Sequence, residues 1–227
     1  MEIKTAILVD GGYYRKRAHA LWGKKTAKER ADELWEYCRL HLGDGAKDAR
    51  RSLYRVFYYD CPPLGGNVYH PLKQANINLA KSDTFAWTEN FFKELAQKRK
   101  FALRLGRLSD NGNGYRLAPD AVKKICSGAL AASDLQESDF VFEIKQKGVD
   151  MKIGIDIAHL SYKKLADQII LIAGDSDFVP AAKIARREGV DFIIDPMGAH
   201  IADDLLTHVD GCFSHYKVPK IPFYEII

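Results

Sequence analysis

The chain has 227 residues, of which 47% are hydrophobic and 28% charged. This composition is typical of a globular protein and excludes a disordered or fibrous one. No apolar run approaches the roughly 20 residues that a membrane helix needs, so we expect no association with a membrane. The short run Ala6-Ile7-Leu8-Val9 is followed at once by an acid, which argues against a signal peptide. Four scattered cysteines without a C-x-x-C pair predict reduced thiols and a cytoplasmic location.

The charge of the chain is unevenly distributed along the sequence. Thirty-four Lys and Arg against thirty Asp and Glu give a net charge of +4, which permits a nucleic-acid partner without requiring one. Residues 15–30 hold seven basic residues and one acid, and residues 93–107 hold six basic residues and one acid. Many acids lie in the C-terminal half instead. The small net charge therefore hides two separated populations of opposite sign.

Hydrophobic periodicity and turn signals predict alternating strands and helices. The capping box Thr26-Ala27-Lys28-Glu29 begins one helix, and Asn111-Gly112-Asn113-Gly114 is a turn signal. We predict strands at 3–9, 53–59, 101–105, 140–144, 169–173 and 190–194, and helices after residue 26, over 71–99 in two pieces, and at 149–165, 180–188 and 199–208. This alternation, with a wholly apolar strand at 169–173, is typical of an α/β fold with a mainly parallel sheet flanked by helices.

Acidic residues follow the ends of the predicted strands. In chain order they are Asp10 after the first strand, Asp60 after the second, Asp150 at the start of the helix after 140–144, Asp175 and Asp177 after 169–173, and Asp195 after 190–194. The carboxyl ends of parallel strands meet at one edge of the sheet, where functional groups gather. Clustered carboxylates raise each other's pKa, and hard divalent cations such as Mg²⁺ or Mn²⁺ relieve that repulsion. The sequence therefore predicts a divalent metal site at this edge.

Each of these acids also has a purely structural interpretation. Asp177 can be the N-cap of the helix at 180–188, and Asp150 can cap its own helix. The structural interpretation is weaker for Asp10, because Gly11 and Gly12 would allow a ligand to approach the backbone closely. Asp156 lies six residues after Asp150, about 240° round the helix, so we predict a structural role for it.

Other catalytic motifs are absent or ambiguous. The sequence contains no G-x-G-x-x-G fingerprint, no P-loop and no G-x-S-x-G element, and its seven histidines have no metal-binding spacing. Tyr13, Tyr14 and Arg15 follow Asp10 closely, where they can stack on bases and contact phosphate or simply belong to a helix face. No side-chain nucleophile is therefore indicated.

Three segments closely resemble the motifs of the NYN domain, a branch of the PIN-like nucleases that is related to the flap-type 5′ nucleases. They are Val9-Asp10-Gly11-Gly12-Tyr13, Lys147-Gly148-Val149-Asp150-Met151, and Ala173-Gly174-Asp175-Ser176-Asp177-Phe178 followed by Pro180. The similarity extends to Tyr58-Tyr59-Asp60-Cys61-Pro62-Pro63, which is common in the longer bacterial members, and it spans about residues 4–210. The resemblance implies a three-layer, Rossmann-like fold and metal-dependent cleavage of RNA.

The resemblance also assigns roles to individual positions. Asp10, Asp150, Asp175 and Asp177 match the family's acids, which implies that they bind Mg²⁺ or Mn²⁺ and are catalytic. Ser176, between the paired acids, is implied to bind phosphate or metal-bound water. The chain departs from the family at Gly12-Tyr13, where many members have a polar residue followed by Asn. This departure puts in question one of the contacts that the family makes near the metal.

The predicted mechanism is hydrolysis of a phosphodiester by a metal-activated water. The basic segments 15–30 and 93–107 are expected to hold the RNA strand, and Lys147 to reach a phosphate. Tyr13, Arg15, Asp60 and Asp195 are further candidates for substrate binding. The partner is thus RNA, single-stranded or structured, and the resemblance adds self-association of the chain.

Two other functions remain open at this point. A phosphatase of the haloacid-dehalogenase kind also has an Asp after its first strand, but it needs Asp-x-Asp there, and Gly12 occupies the place of the second acid. A non-catalytic RNA- or protein-binding module would keep the fold without the activity. For the whole chain we predict a single domain over 1–227, with an inserted or elaborated segment at about 62–135.

Overall fold

The computed structural model describes residues 2–43, 51–109 and 114–215. Most of the predicted turn at 111–114 lies outside them. The strands in these residues are β1 (Ile3–Asp10), β2 (Arg51–Asp60), β3 (Asn67–His70), β4 (Ala75–Asn78), β5 (Phe101–Leu105), β6 (Arg107–Leu108), β7 (Gly114–Leu117), β8 (Phe140–Glu143), β9 (Gln146–Lys147), β10 (Gln168–Ile172), β11 (Asp191–Asp195) and β12 (Gly211–Cys212). The helices are α1 (Gly11–Trp22), α2 (Ala27–Leu40), α3 (Asp83–Gln97), α4 (Pro119–Cys126), α5 (Val149–Tyr162), α6 (Val179–Arg187) and α7 (Asp203–Leu206).

A parallel sheet with the strand order β12-β11-β10-β1-β2-β5 forms the centre of the fold in the described residues. Every neighbouring pair of its strands is parallel, and helices flank it, which confirms the predicted α/β class. The central strands β1 and β10 are almost wholly buried, as their continuous apolar sequences predict for strands covered on both faces. Since β1 lies between β10 and β2, its carboxyl end is at the middle of the sheet edge.

The chain divides into two compact units. The first comprises residues 1–61, 90–106 and 148–227 and contains the parallel sheet. The second comprises residues 62–89 and 107–147 and contains three small antiparallel pairs, β3 with β4, β6 with β9 and β7 with β8. Most of the predicted elaboration at 62–135 therefore lies in the second unit, but residues 90–106 return to the first. No helix of the described residues is long and apolar enough to cross a membrane.

Three predicted elements differ from the structure. The region 71–99 contains the hairpin strand β4 before a single helix, because the Asn-rich sequence of β4 pairs with β3. The strand at 140–144 pairs antiparallel with β7 and does not join the parallel sheet. Only residues 203–206 of the predicted helix 199–208 are helical, after a loop that begins at Pro196. The capping box of α2 at Thr26 and Glu29 is confirmed.

Asp195, at the end of β11, connects separate parts of the first unit. Its carboxylate is fully buried and accepts hydrogen bonds from Tyr37 Oη (2.6 Å), Met197 N (2.7 Å) and Ser214 Oγ (2.7 Å). His41 Nε2 lies 2.8 Å from the same carboxylate. Burial raises the pKa of Asp195, but the hydrogen bonds from His41, Ser214 and Tyr37 outweigh burial and hold it below its usual value. The structure thus gives Asp195 a role in joining β11 to α2 and to the segment around Ser214.

We expect Asp195→Asn to destabilise the protein by about 2–4 kcal/mol at pH 7, because an amide offers fewer acceptors to these buried donors. The folded-state pKa of Asp195 is lowered. The contribution of its carboxylate to the free energy of unfolding is therefore complete above about pH 4 and is lost as the pH falls through the folded-state pKa. Urea unfolding of both proteins at pH 7 and pH 3 measures this. Equal free energies of unfolding at pH 7 would contradict the assignment.

Candidate acidic site at the carboxyl edge of the sheet

Asp10 lies where β1 ends and α1 begins. It is the N-cap of α1, and its carboxylate accepts a hydrogen bond from Tyr13 N (3.1 Å). Asp10 therefore has the structural role of a helix N-cap, a role that the sequence suggests for Asp150 and Asp177. A cap occupies one carboxylate oxygen with one donor, so the same side chain keeps acceptor capacity for a ligand.

Gly11 is required by packing within the chain. A Cβ atom at Gly11 would lie 2.5 Å from the Tyr58 ring and 2.6 Å from the Tyr59 carbonyl oxygen. A Cβ at Gly12 would make an ordinary 3.5 Å contact with the Asp10 carboxylate. The close approach at Gly11 is therefore made by β2, and not by a ligand as the sequence suggested.

Three further acids lie at the starts of helical segments. Asp150 is in the first turn of α5, whose N-cap is Gly148, so Asp150 does not cap its own helix. Asp175 caps the short 3-10 helix Ser176–Phe178 and accepts a hydrogen bond from Asp177 N (3.0 Å). Asp177 is exposed in that turn, and the N-cap of α6 is Phe178 rather than Asp177.

The charges of these acids are close enough to affect one another. Burial raises the pKa of Asp10 to about 6, and the negative charges of Asp150 and Asp60 add to the effect of burial. Asp150 is exposed, but partial desolvation still raises its pKa, and the charges of Asp175 and Asp177 contribute. Asp10, Asp150, Asp175 and Asp177 therefore form one electrostatically coupled group, as clustering at a single sheet edge requires.

The chemistry of this group fits a hydrated hard cation. In the described residues, no three His, Cys, Asp or Glu side chains are arranged to hold a metal ion by themselves. Mg²⁺ keeps several of its waters and is commonly bound through one or two carboxylates together with substrate phosphates. The oxygen donors are of the right kind. Burial and neighbouring carboxylates disfavour the ionised forms of Asp10 and Asp150, and a bound cation would favour those forms.

Asp60 and Arg15 form an ion pair beside this group. Asp60 is 1% exposed, and its carboxylate accepts hydrogen bonds from Arg15 Nη2 (3.1 Å), Tyr58 Oη (3.1 Å) and Cys61 N (2.8 Å). Asp60 is thus engaged within the chain. The Arg15 side chain is 28% exposed, and the charges of Asp60 and Asp10 raise its pKa although burial lowers it. Arg15 therefore presents a fixed cation next to Asp10.

Tyr13 packs across the edge of the sheet. Its hydroxyl donates a hydrogen bond to the Pro196 carbonyl oxygen (2.6 Å), and burial raises its pKa to about 12. A Cβ at Gly174 would lie 2.6 Å from the Tyr13 ring. The ring therefore packs against the backbone directly before Asp175.

The other residues singled out in the sequence are Ser176, Lys147 and Asp156. Ser176 is exposed between Asp175 and Asp177 in the first unit. Lys147 is exposed in the second unit, where it pairs in register with Arg107. Asp156 accepts a hydrogen bond from Tyr59 Oη (2.8 Å) and pairs with Arg104 (3.1 Å), which supports a structural role.

Many cations of the two basic segments are engaged inside the chain. In 15–30, ion pairs join Arg15 to Asp60, Lys25 and Arg30 to Glu33, and Lys28 to Asp32, while Arg17 donates to the Met197 carbonyl oxygen. In 93–107, Lys98 pairs with Asp32, Arg104 with Asp156, and Lys100 donates to the Leu53 carbonyl oxygen. Many basic residues of these two segments thus form ion pairs or hydrogen bonds within the chain.

A surface depression of about 770 Å³ lies away from the acids. Its lining comprises Lys183, Arg186, Arg187, Gly189, Val190, Asp191 and Asp210. These residues lie at the end of α6 and the start of β11, at the amino edge of the sheet. None of the coupled acids contributes, so we do not assign the depression to the acidic site.

Sequence reasoning missed Tyr58 and Gly174. Tyr58 donates to Asp60 and covers Gly11, whereas in the sequence it is one more aromatic residue of a strand. Gly174 did carry a signal, since a glycine directly after an apolar strand marks a close approach to the backbone. The sequence could not identify Tyr13 as the group that approaches it.

Comparisons with known proteins agree with this architecture. The family model described as the NYN domain matches residues 67–214, more than half of the chain. The match includes Asp150, Asp175 and Asp177 and begins after Asp10 and Asp60. No curated protein matches the sequence.

A solved structure, that of a protein of unknown function from Vibrio parahaemolyticus, is similar with a TM-score of 0.50 and 12% sequence identity. The alignment covers 94% of this chain and 93% of that chain. At this identity the likeness supports the fold and carries no functional assignment.

We expect Asp10→Asn to stabilise the metal-free protein at pH 7.5 by about 1–3 kcal/mol. The folded-state pKa of Asp10 is raised to about 6, so the ionised carboxylate costs stability above that pH. The asparagine oxygen still accepts the hydrogen bond from Tyr13. The gain should shrink as the pH falls from about 6 to 4, where the wild-type carboxyl becomes protonated in both states. Urea unfolding at pH 7.5 and pH 4 measures it, and a less stable variant at pH 7.5 would contradict the electrostatic account.

Proposed function

Because the chain belongs to the NYN domain family, we propose that it is a metal-dependent ribonuclease that hydrolyses RNA phosphodiester bonds, acting in the cytoplasm as an endonuclease. The observation that carries this proposal is the coupling of Asp10, Asp150, Asp175 and Asp177 at the carboxyl edge of a parallel sheet. A fold needs no such repulsive group for stability. A ligand that compensates the charge would account for it.

The proposed cofactor is Mg²⁺ or Mn²⁺, held by oxygen atoms of Asp10, Asp150, Asp175 and Asp177. A divalent ion bound there would lower the pKa of a water and stabilise charge on the phosphodiester. Asp10 is held rigidly by its cap to Tyr13 N, and Tyr13 packed on Gly174 fixes the backbone before Asp175. The chain thus holds these two carboxylates in place before any ligand arrives, which is what preorganisation requires.

The residues around the acids suggest how a substrate is held. Arg15, fixed by Asp60 and Tyr58, offers a guanidinium beside Asp10 that suits a phosphate oxygen. Ser176 is exposed between the paired acids and suits a hydrogen bond to phosphate. Asp60 acts through Arg15 in this scheme, and Tyr13 acts on Asp175. We leave Lys147 as a candidate for phosphate contact and Asp195 as a structural residue.

A second candidate is a non-catalytic RNA-binding module with the same fold. It is favoured by the finding that no three potential ligands converge on a metal position in the described residues. The two candidates differ in one respect that is easily measured, since a binding module retains RNA without turning it over.

The test is cleavage of end-labelled RNA by the purified chain in Mg²⁺ and in Mn²⁺, beside Asp175→Asn and with EDTA. We expect wild-type cleavage to stop in EDTA and to fall by at least about a hundredfold in Asp175→Asn, because the variant lacks a charge needed for the metal. RNA binding and the unfolding midpoint should be largely retained.

The matched control is Asp120→Asn, whose carboxylate is 86% exposed and lies in the second unit. It should cleave like wild type. Equal cleavage by Asp175→Asn and wild type would refute the assignment of the site. Metal-independent binding without any turnover would favour the binding module, and hydrolysis of p-nitrophenyl phosphate without RNA cleavage would indicate a phosphatase.

A further inference from the structure

Helix α5 carries an exposed apolar row in addition to its buried face. Met151 is 70% exposed, and Ile155 and Tyr162 are each 59% exposed. With Ala158 these residues are spaced by four, three and four positions, which places them on one narrow stripe of the helix. The buried residues Ile153, Ile157 and Leu160 occupy the opposite face. A surface helix normally has one apolar stripe, so the outer row requires an explanation of its own.

Basic side chains and one histidine lie in a row beside this apolar row. Lys152, His159 and Lys163 are exposed, and the Arg104 side chain, 48% exposed, is held at the intervening position by Asp156 (3.1 Å). This second row has the same spacing as the apolar row and is shifted by one residue along the chain, to positions 152, 156, 159 and 163. Each step advances about 4.5–6 Å along the helix. The two rows therefore run side by side over the length of α5.

We propose that α5 is a track for single-stranded RNA, with bases on Met151, Ile155 and Tyr162 and phosphates towards Lys152 and Lys163. This inference rests on the proposed function and specifies the form of its substrate. An unpaired strand presents a row of apolar faces beside a row of negative charges, which matches the two rows of α5. A duplex hides its base faces in the stack and matches only the cations.

The track leads to the acidic site. Met151 directly follows Asp150, and Tyr162 lies about 16 Å further along the helix axis. That distance spans about five nucleotides at the roughly 3.4 Å per nucleotide of a stacked strand, and fewer in an extended strand. A strand lying on α5 therefore has one end at the first turn of the helix, which also contains Asp150.

The charges beside the stripe favour RNA over a second copy of the chain. If two α5 helices packed antiparallel about a two-fold axis, the same flank of each would lie on the same side. Lys152 of one copy would then face Lys163 of the other. Like charges in that arrangement oppose association, whereas the phosphates of RNA complement both lysines.

The test is binding of fluorescein-labelled RNA by the full chain carrying Asp175→Asn, in EDTA, measured by anisotropy. In this background we expect Tyr162→Ala to weaken binding of a single-stranded decanucleotide about tenfold, while binding of a dinucleotide is unchanged. Tyr162→Phe should bind like its parent, because the ring is kept. Lys152→Ala and Lys163→Ala should each lower the slope of log affinity against log salt by about 0.7.

The matched controls are Tyr69→Ala, a tyrosine 55% exposed in the second unit, and Lys123→Ala, 80% exposed there. Both should bind like the parent. Equal losses in Tyr162→Ala and Tyr69→Ala, or duplex RNA binding as tightly as single strands, would overturn the track. So would Ile155→Glu converting a dimer to a monomer with RNA affinity unchanged.

Binding and cleavage separate the two proposals. If the α5 variants lose affinity as expected while the wild-type chain cleaves nothing, the track stands and the catalytic proposal fails. If wild-type cleavage depends on Asp175 but the α5 variants bind RNA like their parent, only the track fails.

Discussion

The desolvation of Asp10 beside other carboxylates, at the carboxyl edge of the sheet, is the constraint on which the candidate site depends. Asp10 is half-buried at the end of the central strand. Desolvation raises its pKa to about 6, and the charges of Asp150 and Asp60 add to that effect. The surroundings limit this repulsion in part. Arg15 neutralises Asp60 through an ion pair, and the Tyr13 amide donates to Asp10. Desolvation and neighbouring carboxylates raise the pKa values of both Asp10 and Asp150, a cost that the proposed cation would relieve.

The packing around the acids preserves this arrangement. Gly11 lies under Tyr58 and Gly174 lies under Tyr13, with no space for a Cβ at either position. Each glycine adjoins a candidate metal ligand, so each tyrosine fixes the backbone from which an acid projects. Asp195 has a different role at the end of β11, where its carboxylate accepts hydrogen bonds from Tyr37 and Ser214 and lies 2.8 Å from His41 Nε2. The edge therefore contains one acid with a structural role, Asp195, and two acids whose backbone is positioned by packing, Asp10 and Asp175.

Much of the parallel sheet and the list of acids could be predicted from the sequence, because apolar strands and the residues that follow them are local patterns. The sequence offered Asp60 and Asp195 as candidates for substrate binding. It could not show their structural contacts, since their partners Arg15 and Tyr37 are distant in the chain. It also placed 140–144 beside the acids, whereas that strand pairs with β7. Strand pairing outside a periodic α/β pattern depends on long-range contacts that local propensity does not encode.

The central claim is that the coupled acids bind a divalent cation, and a crystal structure with Mn²⁺ tests it most directly. Crystals grown with saturating Mn²⁺ near pH 7.5, where Asp10 is ionised, should show an anomalous peak coordinated by Asp10 and at least one of Asp150, Asp175 and Asp177. The peak should disappear in Asp10→Asn crystals. Well-ordered wild-type crystals that show Mn²⁺ at other sites and none at these acids would contradict the account.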